Sequence, residues 1–216
     1  MTEQPTTPGY AVRLDVDYQE QHNRVTTAFR VFLAIPIVIV IGVLTAGSTQ
    51  RAYDQSGRMV TTTSGGISAG LFFATLLLIV VRQRYPRWWF DFARELARFG
   101  ARIGAYLTLL TDQYPSTVEE QSVHLDIDYP DVVRDLNRWL PLVKWLLAIP
   151  HYIVLALLYV GVVLAVIAAW FAILFTGRYP RGLFDFVEGV VRWHNRVVAY
   201  AFILVTDEYP PFRLRP

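Results

Sequence analysis

Three runs of this chain carry no charge and are too apolar for the interior of an ordinary soluble domain. Val31–Ala46 reads VFLAIPIVIVIGVLTA, Ile67–Val81 reads ISAGLFFATLLLIVV, and Trp145–Phe175 is 31 residues whose titratable groups are His151, Tyr152 and Tyr159. A membrane-spanning helix needs about 20 apolar residues. The first two runs, extended into their flanks, predict spans at about 28–46 and 67–83. The third is too long for one upright span: at ~1.5 Å per residue it would reach ~46 Å, against a hydrocarbon core of ~30 Å. It reads as one strongly tilted helix or as a tight hairpin of two. Composition agrees, with 54% hydrophobic and 18% charged residues, the latter below the usual ~25%. That much apolar surface excludes a disordered chain. The absence of Cys excludes a disulfide scaffold, a Cys-ligated metal site and a Cys nucleophile. Met1–Asn23 is polar and has no apolar core, so no cleaved leader is expected, and residues 1–11 read as a polar tail.

The chain also repeats itself, and a repeat decides topology before any single motif does. Val12–Tyr18 (VRLDVDY) returns as Val123–Tyr129 (VHLDIDY), Asn23-Arg24 as Asn137-Arg138, and Ala34-Ile35-Pro36 as Ala148-Ile149-Pro150. Arg84-Tyr85-Pro86-Arg87 returns as Arg178-Tyr179-Pro180-Arg181, and Phe90-Asp91-Phe92 as Phe184-Asp185-Phe186. Thr111-Asp112-Gln113-Tyr114-Pro115 returns as Thr206-Asp207-Glu208-Tyr209-Pro210. The chain therefore reads as repeat 1 over 12–115, a linker over 116–122 and repeat 2 over 123–212. The offset between copies falls from 114 at Pro36/Pro150 to 94 at Arg84/Arg178, so repeat 1 carries 20 extra residues, the length of its polar stretch 47–66. Deleting that stretch aligns Ala46 with Val160 and Ile67 with Gly161. This arithmetic predicts a turn at Val160-Gly161, where Gly supplies the freedom a turn needs. It gives repeat 2 spans at about 142–160 and 161–177, and four spans in all.

Cation placement sets the expected orientation. Arg51 and Arg58 are the cations of the 47–66 loop; the other eighteen lie in the terminal and middle segments or beside the spans. The loop is expected outside and both termini in the cytoplasm. Arg30 aligns with Lys144, each near a hairpin start, and both are expected to snorkel to headgroups. Lys144 is the sole lysine, the arginine bias of a GC-rich genome.

After each hairpin comes an amphipathic pattern, predicting interfacial helices over 88–110 and 182–205. Asp91, Arg94, Glu95, Arg98 and Arg102 share one stripe of the first, and Asp185, Glu188, Arg192, Asn195 and Arg196 one stripe of the second. Trp88, Trp89, Trp139, Trp145 and Trp193 are candidate interfacial anchors. The LDVDY and LDIDY runs alternate as short strands do. They place Asp15 and Asp17, and in the second copy Asp126 and Asp128, on one face. Four converging carboxylates would suit a hard cation. With Arg98, Arg102, Arg192 and Arg196 repeated nearby, a structural polar network without a metal is the expected reading.

The string RYPRGLFDF…RWHNRVVAYAFILVTDEYPPF resembles DUF4389, a bacterial integral-membrane family catalogued as a domain of unknown function. Many actinobacterial members look like tandem duplications of this unit. Repeat 1 departs from the pattern at Trp88-Trp89, where repeat 2 has Gly182-Leu183, and in the 47–66 insertion. The resemblance implies a membrane location and brings no catalytic residues with it.

A search for chemistry finds little. Gly66-Ile67-Ser68-Ala69-Gly70 matches G-x-S-x-G, but that motif belongs in an α/β sheet with Asp and His partners, and repeat 2 lacks it. His22, His124, His151 and His194 lack metal-ligand spacing, and His151 is expected near the interface. No nucleic-acid module or phosphate loop is visible. Pro36 and Pro150 interrupt equivalent helices, as in some transporters, but no acidic residue sits inside a predicted span. The sequence therefore predicts an all-α membrane protein of two tandem repeats. Each repeat is a short strand, a transmembrane hairpin and a cytoplasmic-side interfacial helix. The expected role is a non-enzymatic accessory or scaffold subunit of a bacterial cytoplasmic-membrane complex, in contact with lipids and a membrane-protein partner, without cofactor or nucleic acid. The alternatives are a small lipid-handling or transport protein acting as an oligomer and, more remotely, a membrane-bound serine hydrolase.

Overall fold

In the computed structural model, which describes residues 10–45, 47–53, 58–64 and 66–216, the alternating runs are strands. β1 (Val12–Val16) pairs antiparallel with β4 (Val123–Ile127). The register sets Leu14 opposite Leu125 and Val12 opposite Ile127, so equivalent positions of the two copies meet about a central point. Val12, Leu14, Val16, Val123, Leu125 and Ile127 are buried, and the residues between them are exposed, as period-2 alternation requires.

The rest is mostly helical. α1 (Arg24–Ala28) is capped by Asn23, whose side chain accepts from the N–H groups of Val25 and Thr26. In the second copy Asn137 accepts from Trp139 N–H at 2.9 Å, which explains why Asn-Arg recurs. α2 (Arg30–Thr45) leads into a β2–β3 hairpin (Ser48–Tyr53 with Met59–Ser64), and α3 (Ile67–Arg82) follows. α4 (Arg87–Leu107) opens behind Pro86 and α7 (Arg181–Val198) behind Pro180, where fixed φ suits a helix entry. α5 (Pro141–Leu147) and α6 (Ile149–Thr176) lie between, and α7 ends in a π-helical turn, Ala199–Ile203. Residues 1–9 of the expected tail, and 46, 54–57 and 65 in and beside the expected loop, lie outside the described residues.

Three layers result. The β1–β4 ribbon packs on α4 and α7, and α4 and α7 in turn carry α2, α3 and α6. The inner contacts cross between copies: β1 packs on α7 and β4 on α4. The repeated motifs build this exchange. Tyr18 OH donates to Tyr179 O at 2.7 Å, and Tyr129 OH to Tyr85 O at 2.5 Å. The Tyr18 ring meets Phe184 edge-on, and Tyr129 meets Phe90 likewise, both at 5.0 Å. Arg181 covers Tyr18 and Arg87 covers Tyr129. Aromatic pairs of this geometry contribute ~0.5–1.5 kcal/mol each beyond area burial.

The structure corrects the expected turn at Val160-Gly161. α6 runs unbroken through both residues for 28 residues, so 142–160 and 161–177 are not two spans, and the two-hairpin reading fails. The break lies at Ala148, between α5 and α6, with Pro150 in the first turn of α6, where a missing N–H costs nothing. Gly161 serves packing instead: a Cβ there would lie 3.2 Å from the Phe186 ring. The 20-residue offset is real but marks an insertion into repeat 1. α2 covers the C-terminal half of α4, through Ala34 and Ile37 on Ile103 and Tyr106. α3 covers its N-terminal half, where Trp89 Nε1 donates to Thr75 Oγ1 at 2.8 Å. α6 alone does the same for α7, with His151 beside Trp193 and Gly161 beside Phe186. Among the described residues one helix is long and apolar enough to cross a membrane, α6; α2 and α3 are apolar but shorter.

Candidate functional site

The most elaborate polar sites are two matching clusters around Arg30 and Lys144. Each begins with a helix end that turns back through a left-handed residue, Leu109 (φ 64°) and Leu204 (φ 63°). Positive φ at a non-glycine residue is uncommon and is held by its surroundings; here Leu110 N–H donates to Ala105 O and Val205 N–H to Ala199 O. The reversal delivers Thr111-Asp112 and Thr206-Asp207 to the two cations. Arg30 Nη1 donates to Thr111 O at 3.0 Å, and its Nη2 lies 2.5 Å from Asp112 Oδ1. Lys144 Nζ donates to Thr206 O at 2.7 Å and lies 2.6 Å from Asp207 Oδ1. The guanidinium stacks 4.1 Å over Tyr106, and the ammonium lies 5.2 Å from the Tyr200 ring. The second carboxylate oxygens accept from Asn23 N–H at 2.7 Å and Asn137 N–H at 2.5 Å. Both cations are buried, 4% and 0% exposed, so the expected snorkelling of Arg30 and Lys144 is overturned. A buried cation must be paired and hydrogen-bonded, and the repeated Asp supplies the pairing.

Besides the cation itself, the clusters differ beside the carboxylate. His22, buried, adds its Nδ1 at 3.4 Å to Asp112 in the first copy; Leu136 holds the corresponding place in the second. Burial alone would raise the Asp112 carboxyl. The His22 side chain, the Asn23 N–H and the charges of His22 and Arg30 outweigh it and hold the carboxyl below the ordinary carboxylate range.

The expected Asp–Arg network forms in part, but its strongest bonds are to backbone. Arg98 Nε donates to Leu125 O at 2.8 Å, and Arg192 Nε to Leu14 O at 2.7 Å, each clamping the other copy's strand. Arg102 bonds Ser116 O, and Arg196 bonds Arg213 O and Arg215 O. Among the carboxylates, Asp128 takes a bidentate pair from Arg13, Asp17 meets His124, Asp126 lies 3.4 Å from Arg98, and Asp15 lies 3.7 Å from Arg192. All four are more than half exposed, and they do not converge. No group of three His, Cys, Asp or Glu side chains suited to a metal gathers among the described residues. Sequence reasoning placed Glu188 on the polar stripe but not in the network; it is buried, paired with Arg192 and accepting from Val16 N–H. Burial pushes its carboxyl up, against the pull of Arg192 and that N–H.

The tryptophans divide. Trp88 and Trp139 are well exposed and Trp145 about half exposed, whereas Trp89 is half-buried on Thr75. Trp193 is buried and donates to His151 Nδ1 at 3.1 Å, so it is a core residue and not an anchor. His151 is fully buried and stacked 4.0 Å from Phe212. Ser68 of the G-x-S-x-G string opens α3 after β3, a strand of a two-stranded hairpin. The ~170 Å³ cavity beside it is lined by Leu71, Phe72, Thr75, Leu96 and similar groups, with no His or acid among them.

No curated protein and no solved structure matches this chain. Residues 59–119 and 139–213, one segment from each copy and together well over half of the chain, match the family described as Domain of unknown function (DUF4389). The chain is internally duplicated and belongs to the DUF4389 family.

Proposed function

We propose that this protein is a non-enzymatic, membrane-embedded accessory or scaffold subunit of a bacterial cytoplasmic-membrane complex, with its polar layers on the cytoplasmic side. The observation that carries this reading is the outer layer. α6 would pass for the core helix of a soluble protein by composition, but only 22% of its apolar window is buried. Ile153, Leu157, Leu164 and Phe175 are exposed on it, as are Val31, Phe32, Val43, Phe73 and Leu77 on α2 and α3. Exposed apolar area on that scale marks a membrane or protein contact. The repeated charged residues, by contrast, are engaged within the fold, pairing inside each copy at Arg30 and Lys144 and clamping the other copy's strand at Arg98 and Arg192. Purification in mild detergent tests the role: a stoichiometric protein partner is expected, and a protein recovered alone refutes it.

A lipid-handling role is the second reading. It is favoured by an apolar cavity of ~370 Å³ between α2, the end of α4 and α6, lined by Val31, Leu107, Val166, Trp170 and Phe171 with Arg30 in its wall. A retained lipid without a protein partner would select it.

A further inference from the structure

We infer that α6 lies in the plane of the membrane and does not cross it, so that the α2–α3–α6 face seats the protein in one leaflet. This rests on the membrane reading above and replaces its spans with an in-plane layer.

Both ends of α6 are held by one polar body. At its N-terminal end, Lys144 reaches Thr206 and Asp207, Tyr209 OH donates to Leu147 O, and His151 stacks on Phe212. At its C-terminal end, His22 N–H donates to Gly177 O, Tyr18 OH to Tyr179 O, and Trp170 Nε1 to Thr27 O. A helix of 28 residues is ~42 Å long. Were it to cross, its ends would face opposite aqueous phases, and the body bonded to both would have to run beside it through hydrocarbon. That body carries Asp15, Asp17, Asp126 and Asp128, all exposed, and charged groups are excluded from lipid-facing positions there.

The burial pattern gives the same answer. His151, Leu155, Val162, Ala165, Ala169 and Ile173 form one buried stripe along the whole of α6. Its opposite side is exposed and apolar throughout, as Ile153, Val160, Ile167 and Phe175 show. α6 packs mainly on α7 and α1 rather than on α2 or α3, so it is not one strut of a transmembrane bundle. The rim of the apolar face is basic and aromatic. Arg24, Arg178 and Arg181 stand near one end, and Arg84, Arg87 and Arg138 beside the end of α3, all exposed, with Trp88 and Trp139. That complements anionic headgroups around a face sunk into the acyl boundary of one leaflet.

The Cys-free chain makes the test direct. Ile153→Cys, Val160→Cys, Ile167→Cys and Phe175→Cys are each spin-labelled on the full chain. Each is reconstituted in vesicles of phosphatidylcholine and phosphatidylglycerol, and depth is read from oxygen against nickel-chelate accessibility. The expected result is one common depth, about 5–10 Å below the headgroups. A sweep across the bilayer, ~33 Å from position 153 to 175, overturns the in-plane placement while leaving the membrane reading intact. Labels that are shielded from both reagents and broadened by mutual coupling show a second copy on this face and overturn it as well. A chain that stays in solution without detergent and does not float with the vesicles overturns both readings. Arg134→Cys and Arg178→Cys, which flank α5 and α6, should react with an impermeant maleimide from the same side; opposite sides refute the inference even if the depth labels disturb packing.

Discussion

Removing the Asp207 carboxylate should be among the most damaging single changes to this fold. Lys144 is completely buried and Asp207 is 20% exposed, with Nζ–Oδ1 at 2.6 Å. In Asp207→Ala the ammonium keeps Thr206 O but loses its counter-charge, and Asn137 N–H loses its acceptor. Breaking a buried pair from one side typically costs about 3–5 kcal/mol, because the surviving charge is stranded. For a chain of this size, 1 kcal/mol corresponds to ~2–4 °C in Tm, so the expected loss is roughly 6–20 °C. The assay is thermal unfolding of the full chain in one detergent, completed as a double-mutant cycle with Lys144→Met. Replacing both charges removes the stranded ion, so Lys144→Met/Asp207→Ala should recover much of the loss. A shift below ~3 °C for Asp207→Ala, or additive effects in the cycle, would show that Lys144 is hydrated and that the argument from burial is wrong.

The Asp112 carboxyl is held below its ordinary range, near 3.9 in an unfolded chain. Its contribution to stability is therefore fully present above that value and is lost as pH falls through the lower folded one; acid unfolding curves should show this limb, and Asp112→Asn should flatten it. Asp126→Asn should cost no more than about 1 kcal/mol, because Asp126 is 64% exposed and Arg98 keeps Leu125 O and Glu95; a Tm loss above ~5 °C would contradict this. Gly189→Ala should destabilise by about 1–2 kcal/mol despite the better helix propensity of Ala, since its Cβ would lie 2.8 Å from Leu214 Cβ and 3.1 Å from Leu214 O. The same change should free the C-terminal tail that Arg192 and Arg196 hold, visible as faster C-terminal proteolysis.

Local patterns in the sequence translated well into local structure. The strict alternation at 12–16 and 123–127 became the paired strands, and the amphipathic stretches became α4 and α7 within a few residues. The misreadings come from what a run of apolar residues leaves open. Trp145–Phe175 carries the same composition whether it turns at Gly161 or continues, and the deciding contact, Phe186 on Gly161, is a tertiary one. The offset arithmetic located the insertion in repeat 1 but not the continuity of α6 through Val160-Gly161 in repeat 2. Arg30 and Lys144 read as surface cations because snorkelling is the usual fate of a cation at the edge of an apolar run. The signal against it was present: both cations recur, and so do Asp112 and Asp207 in the Thr-Asp motif, so a repeated cation had a repeated acid to answer it. Trp193 and His151 face inward together for a reason invisible to composition, the bond between their ring nitrogens.

Repetition within the chain has a physical meaning that the contacts between the copies give it. In this chain several recurring motifs end on the other copy: Tyr18 on Tyr179 and Tyr129 on Tyr85, Arg98 on the Leu125 carbonyl and Arg192 on that of Leu14. A single copy would leave its strand without a ribbon partner, its tyrosine hydroxyl without an acceptor and its helix arginine without a carbonyl. Each such bond contributes ~0.5–1.5 kcal/mol net to joining the copies, and the contributions recur symmetrically. These duplicated residues are therefore consumed in making two copies into one body. The surface that the repeat leaves outside this exchange is the apolar face of α2, α3 and α6.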